Sequence, residues 1–262
     1  MPISLLISLM IGHFLADFVF QSKAILDARA SDIASKRWMG IIRHALIHGV
    51  LEAIILGYFL HETPKLAIGI ALSLSFSHCI IDLVKNELIK RYPKLEYNVV
   101  LFLGDQVLHL IIIMIAYLVI TVVINNSGSG FMVLKEILNG DFGYSKSEKF
   151  LTVLLLIIIG LWVVGIFIGL FIDSIKQNGK RLVTDQKLEN GGFLIGLLER
   201  AIIISAMALD IVSVIGFLIT VKSIARFKKF DDDDFVEYFI IGSFMSLFSG
   251  VVVGYLIHTL LN

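Results

Sequence analysis

Residues 98–124 read NVVLFLGDQVLHLIIIMIAYLVITVVI, an apolar run interrupted near its start by Asp105, Gln106 and His109. A bilayer takes about 20 residues of helix to cross, so the run is long enough to span one. Ionisable groups inside such a run are expensive and mark a candidate functional site. Apolar stretches of similar length lie near residues 2–21, 38–60, 64–84, 150–172, 193–221 and 237–260. The expectation is an all-α polytopic transmembrane helix bundle with about seven membrane segments. Composition agrees, since 57% of the residues are hydrophobic and only 17% charged, outside the mixture of a soluble globular domain. Basic and acidic residues number 22 each, and no basic block is interleaved with aromatics, so nucleic acid is set aside as a partner. Membrane lipids are the expected surroundings, and nothing in the sequence sets an oligomeric state. The single cysteine, Cys79, rules out an intrachain disulfide and a CxxC zinc site; its apolar surroundings predict a small buried thiol.

The opening MPISLLISLMIGHFLADFVFQ has no basic residue ahead of its apolar stretch and no small-residue cleavage site, so it is expected to stay as the first span. His61-Glu62-Thr63-Pro64 joins the second and third stretches tightly, predicting a helical hairpin with Pro64 at the first helical position. Lys/Arg bias orients the bundle. Lys23, Arg29, Lys36 and Arg37 follow the first span, Lys85, Lys90, Arg91 and Lys94 the third, and Lys176, Lys180, Arg181 and Lys187 the fifth, placing these loops on the cytoplasmic side. Lys222, Arg226, Lys228 and Lys229 break the pattern. Either the 193–221 stretch is a broken or re-entrant helix that returns to the same face, or the bias fails there. The chain divides into a histidine-rich front half (1–124), a Gly/Ser/Asn-containing connector (125–149) and a C-terminal set of membrane helices (150–262). In the last, Gly165 with Gly169 and Gly250 with Gly254 read as close-packing positions.

Five of the seven histidines lie four residues from another potential ligand: His13 with Asp17, His44 with His48, His78 with Asp82, and Asp105 with His109. Each pair sits on a different one of the first four spans. Positions i and i+4 are neighbours on one helix face, about 5–6 Å apart at Cβ, so each span offers a two-pronged ligand. Counted at 1.5 Å per residue from the basic loops, all eight groups fall roughly 3–17 Å below one membrane face. Three unpaired aspartates there would cost roughly 8–10 kcal/mol on insertion scales, and a bound divalent ion would offset that cost. Imidazoles and carboxylates in this ratio suit zinc, with iron or manganese as alternatives, as one ion or two. The plainer reading is a hydrogen-bonded His/Asp network between helices. Gln21, Gln106 and Arg43 are candidates to support the ligands, with a solvated helix end the alternative for Gln21 and Arg43. Glu52, one turn beyond His48, is a candidate ligand or general base. His61 and His258 read as exposed or interfacial, Glu199 and Arg200 as interfacial, and Asp231 to Asp234 as a solvated turn.

The stretches GHFLADFVFQ near the start, RHALIH at 43–48, SHCIIDLVK at 77–85 and GDQVLH at 104–109 resemble an uncharacterised bacterial membrane family, the domain of unknown function 3307. GLLERAIII, IGFLITVKSIARF and EYFIIGSFMS in the back half are similar to proteins carrying that domain. The resemblance implies a bacterial cytoplasmic-membrane protein and brings no activity. More distantly, Arg43, His44 and His48, with His78 and Asp82, resemble motifs of LexA-binding, inner-membrane-associated metal-dependent hydrolases, although Ile47 stands where those have threonine. That similarity implies a metal site.

The leading functional expectation is a membrane-embedded metal-dependent hydrolase, with the bound ion activating water and Asp105 or Glu52 as base. A site at headgroup depth would take an amphiphilic or phosphate-containing substrate. The alternatives are a divalent-metal transporter or sensor, and a structural subunit whose metal ties helices together. Transport requires polar groups continuing to the opposite face, where these spans carry mostly Leu, Ile and Val.

Overall fold

The computed structural model describes residues 3–125, 145–176 and 186–262. Among them there are helices and no strands, as the apolar periodicity predicts. Six helices are long and apolar enough to cross a membrane: Ala34–Phe59, Pro64–Arg91, Val99–Ile124, Lys146–Ile175, Gly191–Ala208 and Phe235–Leu261. A seventh candidate is a helix pair bent by 81°, Ile3–Val19 with Lys23–Arg29. The lipid-facing character is plain in the helix Ala34–Phe59, whose outer face exposes Ile42, Leu46, Val50 and Ile54 in succession. An exposed apolar stripe of that length belongs against hydrocarbon. The protein is an integral membrane protein.

The chain forms two compact units, Met1–Glu96 with Val100–Leu155, and Leu156–Asn262 with Tyr97–Val99. The connector expected at 125–149 falls mostly outside the described residues, as do residues 177–185 of the basic loop after the fifth span.

In the first unit, α1 (Ile3–Phe14) runs into a π-helical turn (Leu15–Val19), followed by the short α2 (Lys23–Arg29), α3 (Ala34–Phe59), α4 (Pro64–Arg91) and α5 (Val99–Asn125). Pro64 opens α4 as expected. Each helix buries one face, and that face changes character along its length. At one end Leu5, Leu9, Leu56, Leu60, Ala67, Ala71, Leu74, Tyr117 and Ile120 make an apolar core. At the other end the same faces carry the histidines and aspartates. Up-and-down connectivity produces this layering: the start of α1 and of α4 meets the end of α3 and of α5. Gly40 lets α2 lie close on α3, because a Cβ there would stand 2.7 Å from the Arg29 backbone nitrogen and 2.9 Å from Ala28 Cβ. Cys79 is only half-buried, short of the buried thiol its apolar run suggested.

α6 (Lys146–Ile158) begins in the first unit and ends in the second, which continues with a π-helical turn (Ile159–Val163), α7 (Val164–Lys176), α8 (Gln186–Ala208), α9 (Ser213–Arg226) and α10 (Asp233–Leu261). The 193–221 stretch is broken. α8 ends at Ala208, and Asp210 takes a φ of 58°, a conformation Asp tolerates better than most residues. α9 then folds back along α8. Ile215 packs with Ile203 and Ala206 near the turn, while Lys222 Nζ reaches Glu199 Oε2 at 2.6 Å further away. This return carries Lys222 and Arg226 towards the side from which α8 sets out, which reconciles the basic run with the charge bias.

Glu199 and Arg200 are buried rather than interfacial. Arg200 donates to the carbonyls of Gly160 (2.9 Å) and Leu161 (2.7 Å), in the π turn that disturbs the ordinary helical bonding. Gly165 makes room for it, since a Cβ there would meet the guanidinium and Phe193. Gly250 and Gly254 admit Ile203 and the Ile204 backbone as the small-residue spacing predicts, whereas Gly169 has nothing within 4 Å. Asp232 caps α10, accepting from the Phe235 amide at 3.1 Å. Because Glu199 is buried and paired, Lys222→Met is expected to lower stability in detergent by up to about 3 kcal/mol. Glu199→Gln with Lys222→Met should recover most of that loss, as read by thermal unfolding of the two variants. A double variant no better than the single one would show that the pair itself is not what matters.

Candidate metal centre

The four i, i+4 pairs converge. Asp17 stands in the π turn at the end of α1, a helical irregularity common at functional sites. Its Oδ1 lies 2.9 Å from His48 Nε2, 3.1 Å from His44 Nε2 and 3.6 Å from His78 Nε2. His13 Nε2 is 3.6 Å from Asp17 Oδ2. His78 Nε2 is 3.1 Å from His44 Nε2 and 3.4 Å from Asp82 Oδ2. Four ligands about 2.0–2.1 Å from one zinc ion stand roughly 3.3 Å apart, the spacing of these atoms. Among the described residues, three sets have candidate ligand atoms all within 4.8 Å of one another: His13, Asp17, His48 and His78; His44, His78 and Asp82; and Asp82, Asp105 and His109. Together they contain all eight ligands expected from the sequence, and every one of the eight except Asp17, which is 10% exposed, is buried.

The cluster is only partly satisfied by its own hydrogen bonds. Gln106 links three members, with Oε1 3.3 Å from His13 Nε2 and Nε2 donating to Asp17 Oδ2 (3.4 Å) and Asp105 Oδ2 (3.2 Å). His109 Nδ1 donates to the Asp105 backbone carbonyl at 2.9 Å. A carbonyl only accepts, so Nδ1 carries the proton and neutral His109 presents a bare lone pair at Nε2. That atom is buried without a hydrogen-bond partner, as are Glu52 Oε2, Asp105 Oδ1 and His44 Nδ1. Buried polar atoms left unpaired are costly, and two of the four side chains, Glu52 and His109, line one small cavity. Glu52, His13, His78 and His109 line a cavity about the size of one water molecule, closed below by Leu74, Ile112 and Ile113.

Two residues escaped the sequence reading. Arg29 and Lys85 were read as loop charges, yet Arg29 Nη2 pairs with Asp82 Oδ2 at 2.8 Å and Lys85 Nζ with Asp105 Oδ2 at 2.7 Å. Lys85 lies three residues beyond Asp82 and seven beyond His78, so its helical spacing could have placed it on the ligand face. No local pattern marks Arg29, whose position depends on the bend after α1 and on Gly40. Of the supporting candidates, Gln106 is buried within the cluster. Gln21, with its amide turned to match its neighbours, donates to the Asp17 carbonyl at 3.0 Å and accepts from Arg29. Arg43 is exposed and takes no part. His61 is exposed, and His258 sits by the Ala208 carbonyl at the end of α8.

Fold and site together define a polytopic helical membrane protein with a buried histidine–aspartate cluster in its first four long segments. The chain belongs to the family described as protein of unknown function (DUF3307), whose model matches residues 5–138. The matched region contains all eight cluster residues and also Glu52, Arg29 and Lys85. Nothing among curated proteins or solved structures matches the chain, so the similarity to LexA-binding hydrolases rests on residues 43–48 and 78–82 alone.

Proposed function

We propose that the first unit is a membrane-embedded, metal-dependent hydrolase, holding one or two divalent ions, zinc above iron or manganese, at the cytoplasmic face of a bacterial membrane. The observation that carries the reading is the meeting of His44, His48 and His78 Nε2 atoms on one Asp17 oxygen at 2.9–3.6 Å. A self-sufficient hydrogen-bond network accounts for this less well, because it would not leave His109 Nε2, Glu52 Oε2 and Asp105 Oδ1 unpaired in the protein interior.

A bound divalent ion supplies Lewis acidity and lowers the pKa of water towards neutrality. The residues do the rest. His13, Asp17, His48 and His78 hold one position, and Asp82, Asp105 and His109 offer a second beside it. Gln106 fixes the orientation of two carboxylates, Asp17 and Asp105. Glu52 is better placed as base than Asp105, since its carboxyl lines the water-sized cavity with three imidazoles while Asp105 Oδ2 is taken by Lys85 and Gln106. Permeation is disfavoured, because the apolar core from Leu5 to Ile120 closes the far side of the cluster.

Elemental analysis of the detergent-purified protein tests the reading, with one or two divalent ions per chain expected and His44→Ala and Asp82→Ala depleted. Near-zero metal in the wild type and both variants would end it. With metal bound, turnover of phosphodiester and acyl-ester probes supports the hydrolase, and divalent ion flux in liposomes without turnover supports a transporter.

A further inference from the structure

Arg29 and Lys85 are what metal holding leaves unexplained. Asp82 Oδ2, 2.8 Å from the Arg29 guanidinium, is also 3.4 Å and 3.5 Å from the His78 and His44 ring nitrogens. Lys85 likewise occupies Asp105 Oδ2 at 2.7 Å. Each basic group therefore competes with an ion for one of its own candidate ligands and repels that ion at short range. For a site that only stored metal, both would be a handicap. Three aspartates against two basic side chains leave one negative charge at this end. One divalent ion turns that into a positive surplus, with Glu52 lying on the far, apolar side.

We propose that Arg29 and Lys85 form an anion-binding rim over the metal centre and that the group they hold is a phosphate. This rests on the metal-centre reading above. The positive centres stand on different elements, the guanidinium on α2, the ammonium on α4 and the ion among α1, α3 and α4, so the anion must present several oxygens in different directions. A tetrahedral phosphate offers three or four oxygens arranged in this way, a planar carboxylate only two in one plane. A guanidinium fork and a point-charge ammonium are both usual phosphate partners. Gln21 accepts from Arg29 Nη1 while Asp82 pairs with Nη2, so Gln21 would still hold the guanidinium if Asp82 took up an ion. Lys85, 26% exposed against 4–10% for its neighbours Asp17, Arg29, Asp82 and Asp105, marks the open side. Phe20, Leu26, Ile33 and Trp38, before, within and after the short helix that carries Arg29, are exposed and apolar, which favours an amphiphile over a fully polar phosphate.

The test is titration calorimetry on zinc-loaded protein in phosphatidylcholine nanodiscs, with inorganic phosphate, glycerol phosphate and short-chain phosphatidate as probes. Wild type is expected to bind all three, and Arg29→Met and Lys85→Met each to weaken binding at least about tenfold, a change of about 1.4 kcal/mol. Metal content should not fall in either variant. Lys85→Arg should bind nearly as wild type, and the partly exposed Lys85 carries the test if Arg29→Met does not purify. Phosphatidate binding far above glycerol phosphate and inorganic phosphate assigns the phosphate to a lipid headgroup, and equal affinities assign it to a soluble compound; both support the rim. Wild type with its full metal complement and no phosphate binding, or variants that bind as well as wild type, would overturn it. A metal-free wild type that binds phosphate through these two residues would instead defeat the metal reading and leave the rim standing.

Discussion

His78→Ala is expected to leave the purified protein nearly free of metal, with affinity reduced at least about 100-fold. Loss of a residue that merely orients a ligand typically costs about 10–100-fold, and His78 belongs to two of the three ligand sets. Its ring also stacks on His48 with centroids 3.6 Å apart and lies 4.1 Å from the His109 ring, so its removal disturbs neighbouring ligands too. Because the alanine also opens a gap beside Glu52, His78→Gln should be measured alongside as a variant of closer size. Both must lose metal while still eluting as a single species in detergent. Full retention of metal by both would show that the imidazole cluster is not a ligand set.

Glu52→Gln is expected to lower turnover by about 10²–10⁴, the usual contribution of a general base, with metal content unchanged. The substitution keeps the shape of the side chain and leaves the ion positions alone, so it separates catalysis from binding. Glu52 Oε2 has no hydrogen-bond partner and the residue is 6% exposed; a buried carboxyl oxygen left unpaired is costly, and packing alone does not call for one. Asp105→Asn makes the useful comparison, because Asp105 is tied to Lys85 and Gln106. That variant should lose metal or phosphate affinity rather than turnover alone. If Glu52→Gln retains wild-type turnover with the same metal content, the base lies elsewhere.

The sequence was informative where the physics is local. Apolar runs of about 20 residues have one stable solution in a bilayer, the helix. A pair of ligands four residues apart is committed to one face as soon as that helix forms. The four pairs, from His13–Asp17 to Asp105–His109, could therefore be found before any packing was known, and connectivity alone placed them at one level. Gly250 and Gly254 were legible for the same reason. The break in the 193–221 stretch was legible as a conflict of charges and from Glu199, Arg200 and Asp210 inside it, but its position was not, because a single non-glycine residue, Asp210, turns the chain with a positive φ.

By itself, then, the chain determines a helical membrane protein, the eight ligand candidates, and the side of the bundle on which they lie, since all of these follow from periodicity and hydropathy. Tertiary structure decided which groups actually meet. It brought Arg29 to Asp82 through a bend of 81° and a close approach at Gly40, turned Lys85 onto Asp105, and left Arg43 outside. It also buried Glu199 and Arg200 in the second unit. These outcomes depend on helix crossings and on which carboxylate a long basic side chain can reach, and such distances arise only once separate segments pack together.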